Sequence, residues 1–181
     1  RIECFFFFVN AGHSTNHIGK FSGYMRAIFL GLQYALQCKT DYFVYIEQDC
    51  LLYGKDIIEH CIKKMQFKYM FGNGEGTPQK LQQSFFIIRQ DGILTFLERL
   101  NKIKERDNII SPEEKFHIAC SLVPINIWPK IIQKKPSNSI FRWLDWQIMK
   151  YFRKYDYLPV GYGRSRPVNF YDDYFYFQHA N

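Results

Sequence analysis

Glu47 and Asp49 stand one residue apart in "YIEQDCLLYG", directly after the apolar run "YFVYI". Side chains alternate along an extended chain, so positions 47 and 49 face one side while Gln48 points away. Two carboxylates converging in this way can hold one divalent cation. Mg²⁺ and Mn²⁺ suit such oxygen ligands, because they keep part of their shell for waters and substrate phosphates. The same two acids can equally end a strand and solvate a loop, with Asp49 as a cap, and the spacing alone leaves both readings open.

What positions the pair is the order of elements around it. "IECFFFFVN", residues 2–10, is a continuous apolar run of the kind buried on both faces of a sheet. After a loop that carries His13 and His17 at a prospective pocket rim, Phe21, Tyr24, Met25, Ile28, Phe29, Leu32 and Leu36 recur at helical spacing, which predicts a helix over 20–37. Strand, helix and strand in this order form the unit that builds parallel sheets through a right-handed crossover. Ligands of open α/β sheets bind beyond the carboxyl ends of the strands, where Glu47 and Asp49 fall.

Downstream, Asp56 with Glu59 predicts a capped helix, and "KYMFG" and "SFFIIR" read as strands. A further helix starts at Asp91, another at Ser111-Pro112 with Glu114, and a last one, "IFRWLDWQIMKYF", at Ser139. The chain is therefore expected to be α/β, a single domain over residues 1–181 with a mostly parallel twisted sheet flanked by helices. Its tail, 157–181, is aromatic, basic and irregular, and is expected to contribute to the site.

Composition narrows the function classes. With 47% apolar and 19% aromatic residues the chain is too hydrophobic to be disordered. The net charge of +7 fits a phosphate-bearing partner: a nucleotide substrate, nucleic acid, or peripheral contact with an anionic membrane. The basic residues of "IKKMQFK", "RLNKIKER" and "IIQKKP" are interleaved with apolar positions, as on solvated helix faces, and no nucleic-acid motif is present. The run at 2–10 is too short to span a bilayer and is not followed by a small-residue cleavage site, so neither a membrane span nor a signal peptide is read there, and the start at Arg1 suggests a processed protein or an expressed fragment. The five cysteines include no C-x-x-C pair, which predicts free thiols and a reducing, cytoplasmic setting. His60-Cys61 and His117 with Cys120 are read as core thiols beside surface histidines, because adjacent helical residues diverge too far to chelate well. "FGNGEGTPQK" lacks the G-K-[ST] ending of a phosphate loop and reads as a flexible lid or acceptor loop.

The segment "GKFSGYMRAIFLGLQYALQCKTDYFVYIEQDCLLYG" joins a Gly-containing loop, a helix with Arg26-Ala27 and Gly31, and a strand ending in acid-x-acid. It resembles the centre of GT-A fold glycosyltransferases, and "GRSRPVNFYDDYFYFQHA" resembles their carboxy-terminal segment. The resemblance implies transfer of a sugar from a nucleoside-diphosphate sugar to an acceptor hydroxyl on a glycan, lipid or protein. It implies Mn²⁺ or Mg²⁺, with Asp49 as direct ligand, Glu47 on the ribose or a metal-bound water, and His179 completing the metal site. Arg164 and Arg166, with Arg26, match the basic residues that hold the diphosphate. The family's opening strand has no counterpart ahead of residue 2, so that strand is expected to be lost or modified.

Breaking the sugar–phosphate bond leaves negative charge on the nucleoside diphosphate, which a metal and arginines stabilise as it develops. Inversion would also need a carboxylate base beside the acceptor hydroxyl. Asp145, between Trp143 and Trp146, is the candidate, its other role being an ion pair with Arg142; Asp172 and Asp173 read as turn residues. Two other classes remain open: a non-catalytic nucleotide- or glycan-binding relative, and a nucleic-acid-binding domain suggested by charge and aromatics.

Overall fold

The helical period that begins near residue 20 becomes α1 (Ser22–Cys38), which buries Met25, Ile28, Leu32 and Ala35 on one face. The computed structural model describes residues 22–74, 79–106, 109–128, 147–148, 151–163 and 175–179. After α1 come β1 (Tyr42–Ile46), β2 (Cys50–Tyr53), α2 (Ile57–Lys64), β3 (Tyr69–Asn73), β4 (Leu81–Arg89), α3 (Gln90–Lys102) and α4 (Pro112–Ala119). Three short strands complete the order: β5 (Asp156–Tyr157), β6 (Gly161–Gly163) and β7 (Tyr176–His179). The strand expected at 2–10, the greater part of the helix expected from Ser139, and much of the tail lie outside the described residues.

The fold is α/β, but its described sheets are mixed rather than mostly parallel. One sheet has the order β1-β4-β3-β5, with β4 antiparallel to both neighbours and β5 parallel to β3. The other has the order β2-β7-β6, with β2 antiparallel and β6 parallel to β7. Thus β1, β3 and β5 share a direction and β4 runs against them. Chain length explains the reversal: β3 reaches Asn73 and β4 starts opposite it at Leu81, a connection too short for the crossover a parallel neighbour needs.

β4 is the axis of the core, because its side chains are buried on both faces. Phe86 and Ile88 pack with Phe43 and Tyr45 of β1 against α1, α3 and α4. Phe85 and Ile87 face the other way, toward Ile57 and Cys61 of α2 and Phe177 of β7. The first face is an aromatic cluster: Phe71, Phe86, Phe96 and Phe116 have ring centroids 5.2 to 6.5 Å apart, and Tyr155 meets Phe71 edge-on at 5.5 Å. Gly31 lets α1 approach β1 closely, since a Cβ there would lie 3.2 Å from the Phe43 ring.

Local signals had mixed success. Ser111 caps α4 as expected, its Oγ accepting from Glu114 N at 3.4 Å with Pro112 in the first turn. Asp56 makes no side-chain cap bond; its backbone is left-handed at φ 60, and only its carbonyl is used, accepting from His60 N. Cys61 and Cys120 are the buried free thiols expected, yet His117 is fully buried rather than on the surface, its Nδ1 lying 2.8 Å from Tyr155 Oη. Lys80 and Glu114 also form a buried pair, at 3.6 Å. Among the described residues no helix is long and apolar enough to cross a membrane.

Arg99 departs most from a solvated helix face. Its guanidinium donates to the carbonyls of Ala119 at 2.7 Å, Ile118 at 3.0 Å and Ser121 at 2.7 Å, so a cation from α3 closes the carboxyl end of α4. Arg99→Ala strands these acceptors, and urea denaturation should show a loss of about 2–3 kcal/mol. Arg89→Ala, whose pair with Asp91 is roughly half exposed, should cost under about 0.5 kcal/mol in the same measurement.

Candidate metal centre

β1 ends at Ile46, and the chain then turns. Glu47 N donates to Ser84 O of β4 at 2.8 Å, and Cys50 N donates back to Glu47 O at 3.1 Å, closing a turn over Gln48 and Asp49 before β2 leaves for the second sheet. The two acids therefore converge through this turn, rather than through the two-residue period of a strand. Gln48 remains exposed.

The third member comes from the far end of the chain. β7 pairs with β2 so that His179 stands opposite Cys50. His179 Nε2 lies 3.1 Å from Glu47 Oε2 and 3.5 Å from Asp49 Oδ2. With Cys50 Sγ included, the donor atoms all lie within 4.8 Å of one another. Glu47 and His179 are about four-fifths buried, while Asp49 is half open to solvent. Nδ1 of His179 is buried and has no hydrogen-bond partner among the described residues.

No family model, curated protein or solved structure matches this chain.

The chemistry of the site is read from its own donors. Neighbouring ligands of an octahedral ion with bonds of about 2.1 Å lie roughly 3 Å apart, near the separations of His179 from the two carboxylates. Two carboxylates and an imidazole suit Mn²⁺ as a borderline ion, while a thiol is a poor partner for Mg²⁺. A protonated His179 bridging the acids would satisfy the same distances without an ion. Among the described residues, His179 is the basic group paired with either carboxylate.

The electrostatics are those of an incompletely balanced anionic pocket. Burial first, then the charges of Glu47 and Asp49, pushes the Cys50 thiol up to about 12, and the thiol donates weakly to Ser84 O at 3.7 Å. Tyr45 is raised well above its ordinary value by burial and then by Glu47. Tyr24 is raised by burial, then by Tyr45 and Glu47. Glu113, in the first turn of α4, is raised chiefly by burial, with Glu47 contributing. A cation is what such a pocket would most stabilise.

Of the residues singled out in the sequence, Glu47, Asp49 and His179 are brought together. Arg26 is exposed on α1 and outside the cluster. Asp145, Arg164, Arg166, His13, His17, Asp172 and Asp173 lie outside the described residues. His60 stacks on Phe175 at 4.1 Å and is not part of the cluster. Cys50 and Glu113 were missed as site neighbours. Adjacency to Asp49 was the available signal for Cys50, whereas Glu113 looked like an ordinary acid in a capped first turn.

The thiol offers a probe of this field. At about pH 8 native Cys50 should alkylate slowly with iodoacetamide while exposed Cys38 reacts readily, and the Cys50 rate should climb only as pH approaches 12. Removing one negative charge lowers the thiol's pKa, so Glu47→Gln should speed the reaction at fixed pH. Peptide mass spectrometry after timed labelling checks both outcomes.

Proposed function

We propose that this chain is a metal-dependent glycosyltransferase that moves a sugar from a nucleoside-diphosphate donor to an acceptor hydroxyl. One observation carries the reading: His179, from the tail that resembles the family's carboxy-terminal segment, lies against both Glu47 and Asp49 of the acid-x-acid motif. Those two stretches were matched separately in the sequence, and spatial convergence is what a shared metal and diphosphate site requires. The mixed α/β sheet, with the acids just past the carboxyl end of β1, is compatible with the same fold.

On this reading Asp49 and His179 hold Mn²⁺ or Mg²⁺, and Glu47 takes the ribose or orders a metal-bound water. When bound, the ion supplies charge stabilisation to the departing diphosphate. The chain's own residues do the rest: Arg164 and Arg166 are assigned to the diphosphate, and Asp145 to receiving the acceptor proton. Arg26 is the weakest of these assignments, because its side chain is exposed and separate from the acids.

Titration calorimetry with a panel of nucleoside diphosphates, with and without Mn²⁺ or Mg²⁺, tests the proposal on the intact chain. Binding should require the ion and fall by about tenfold or more in Asp49→Ala and His179→Ala. Absence of binding to every nucleotide, or binding indifferent to metal and to both substitutions, would overturn it. Metal-dependent binding without transfer to any acceptor, unchanged in Asp145→Asn, would instead identify a non-catalytic relative.

A further inference from the structure

The register that carries His179 to the acids carries it to a thiol as well. Cys50 is paired directly opposite His179 across β2 and β7, and side chains paired in this way stand on one face of the sheet. Its Sγ lies within 4.8 Å of the donor atoms of Glu47, Asp49 and His179, so two carboxylates, an imidazole and a thiol converge. The other described cysteines are placed differently: Cys61 and Cys120 are buried in the apolar clusters, and Cys38 is exposed. Cys50 is half-buried, and its weak bond to Ser84 O, at 3.7 Å, is one that coordination can replace. A neutral His179 with its proton on Nδ1 turns the Nε2 lone pair toward carboxylate oxygens at 3.1 and 3.5 Å. Three acceptors facing one another are stabilised by a cation between them.

We propose that Cys50, as its thiolate, joins Asp49 and His179 as a ligand of the bound ion, and that the site therefore takes Zn²⁺ in preference to Mg²⁺. The inference rests on the ion site of the proposed function, and not on sugar transfer. Zn²⁺ accepts thiolate, imidazole and carboxylate together, at about 2.3 Å to sulfur and about 2.0–2.2 Å to nitrogen and oxygen. At the tetrahedral angle such bonds separate nitrogen from oxygen by roughly 3.3 Å, between the 3.1 and 3.5 Å that Nε2 keeps from the two acids. Mg²⁺ demands an octahedron of oxygens and gains nothing from sulfur. On coordination the Sγ–H bond breaks, its proton passes to solvent, and a sulfur lone pair forms the Sγ–Zn²⁺ bond. Three protein ligands leave a further position for water or a phosphate oxygen. A protonated His179 would bridge the acids equally well, but it makes no use of the thiol, and that difference is what the test reads.

Titration of the intact, reduced chain with Co²⁺, a spectroscopic stand-in for Zn²⁺, provides the test. A thiolate-to-cobalt charge-transfer band should grow in the near ultraviolet, vanish when Zn²⁺ is added, and persist in excess Mg²⁺. Cys50→Ser should abolish the band and weaken Zn²⁺ binding by about tenfold or more, with weak Mg²⁺ binding unchanged. Cys38→Ser, at the exposed thiol, should keep the band. Far-ultraviolet circular dichroism and melting of metal-free Cys50→Ser should match the parent, which separates loss of a ligand from loss of the fold. Four results would overturn the proposal: no binding of Co²⁺ or Zn²⁺, cobalt bound without the band, a band that survives Cys50→Ser, or displacement of Zn²⁺ by Mg²⁺ at equal concentration. Calorimetry with nucleoside diphosphates reads the proposed function separately. Metal-dependent nucleotide binding without the band overturns only the role of Cys50, and the band without any nucleotide binding overturns only sugar transfer.

Discussion

The pairing register of β2 with β7 is the constraint on which the acidic cluster depends. Cys50 pairs with His179 and Leu52 with Phe177, so Phe177 and His179, two residues apart, share a face. Phe177 is buried against Phe85 of β4, with ring centroids 5.6 Å apart, and stacks on Tyr162 of β6 at 5.2 Å. A slip of one residue would turn Phe177 to solvent and carry His179 away from both carboxylates. The apolar anchor thus fixes the position of the polar ligand. Burial of a large aromatic side chain is worth about 1.5–3 kcal/mol, enough to hold this register against nearby alternatives.

That anchor matters because the cluster opposes itself. Glu47 and Asp49 are held together by a tight turn, and Cys50, Tyr45, Tyr24 and Glu113 are pushed away from ionisation chiefly by burial, with Glu47's charge adding to the shift of each. A stretch selected for stability alone would place a neutral or basic residue here. Local electrostatic conflict supported by a well-packed surround is the pattern expected of functional sites. The surround is substantial: β4 is packed on both faces, and Arg99 ties α3 to the end of α4.

Much of the described fold was legible because its signals are local. The helical period of α1, the apolar runs of β1, β3 and β4, and the Ser-Pro start of α4 depend on neighbours in sequence and appear where expected. Strand direction was not legible, since it depends on which strands become neighbours, and β4 inserts between β1 and β3. Residue roles set by tertiary partners were also hidden. His117 looked like a surface histidine until Tyr155, 38 residues later, supplied its partner. Arg99 looked solvated until the end of α4 came within reach. The acid pair was found, but the stated cause of its convergence was wrong, because a strand period was assumed where a turn operates.

The sign of the charge around the acids bears on how a donor nucleotide would enter. Glu47 and Asp49 present two negative groups, and Asp49 is the half-open one that an arriving phosphate would meet. Like charges at a few ångströms in a partly desolvated site repel by several kcal/mol, so a diphosphate gains little by approaching the acids alone. A divalent ion reverses that sign, and the open side of Asp49 leaves room for a ligand that is not protein. On the proposed reading the ion must therefore be present before, or arrive with, the nucleotide. Net basicity cannot substitute for it, because the turn that carries the acids, Glu47 to Cys50, has no Lys or Arg of its own, and in sequence +6 of the net +7, seven Lys and Arg less Asp145, falls in residues 129–154.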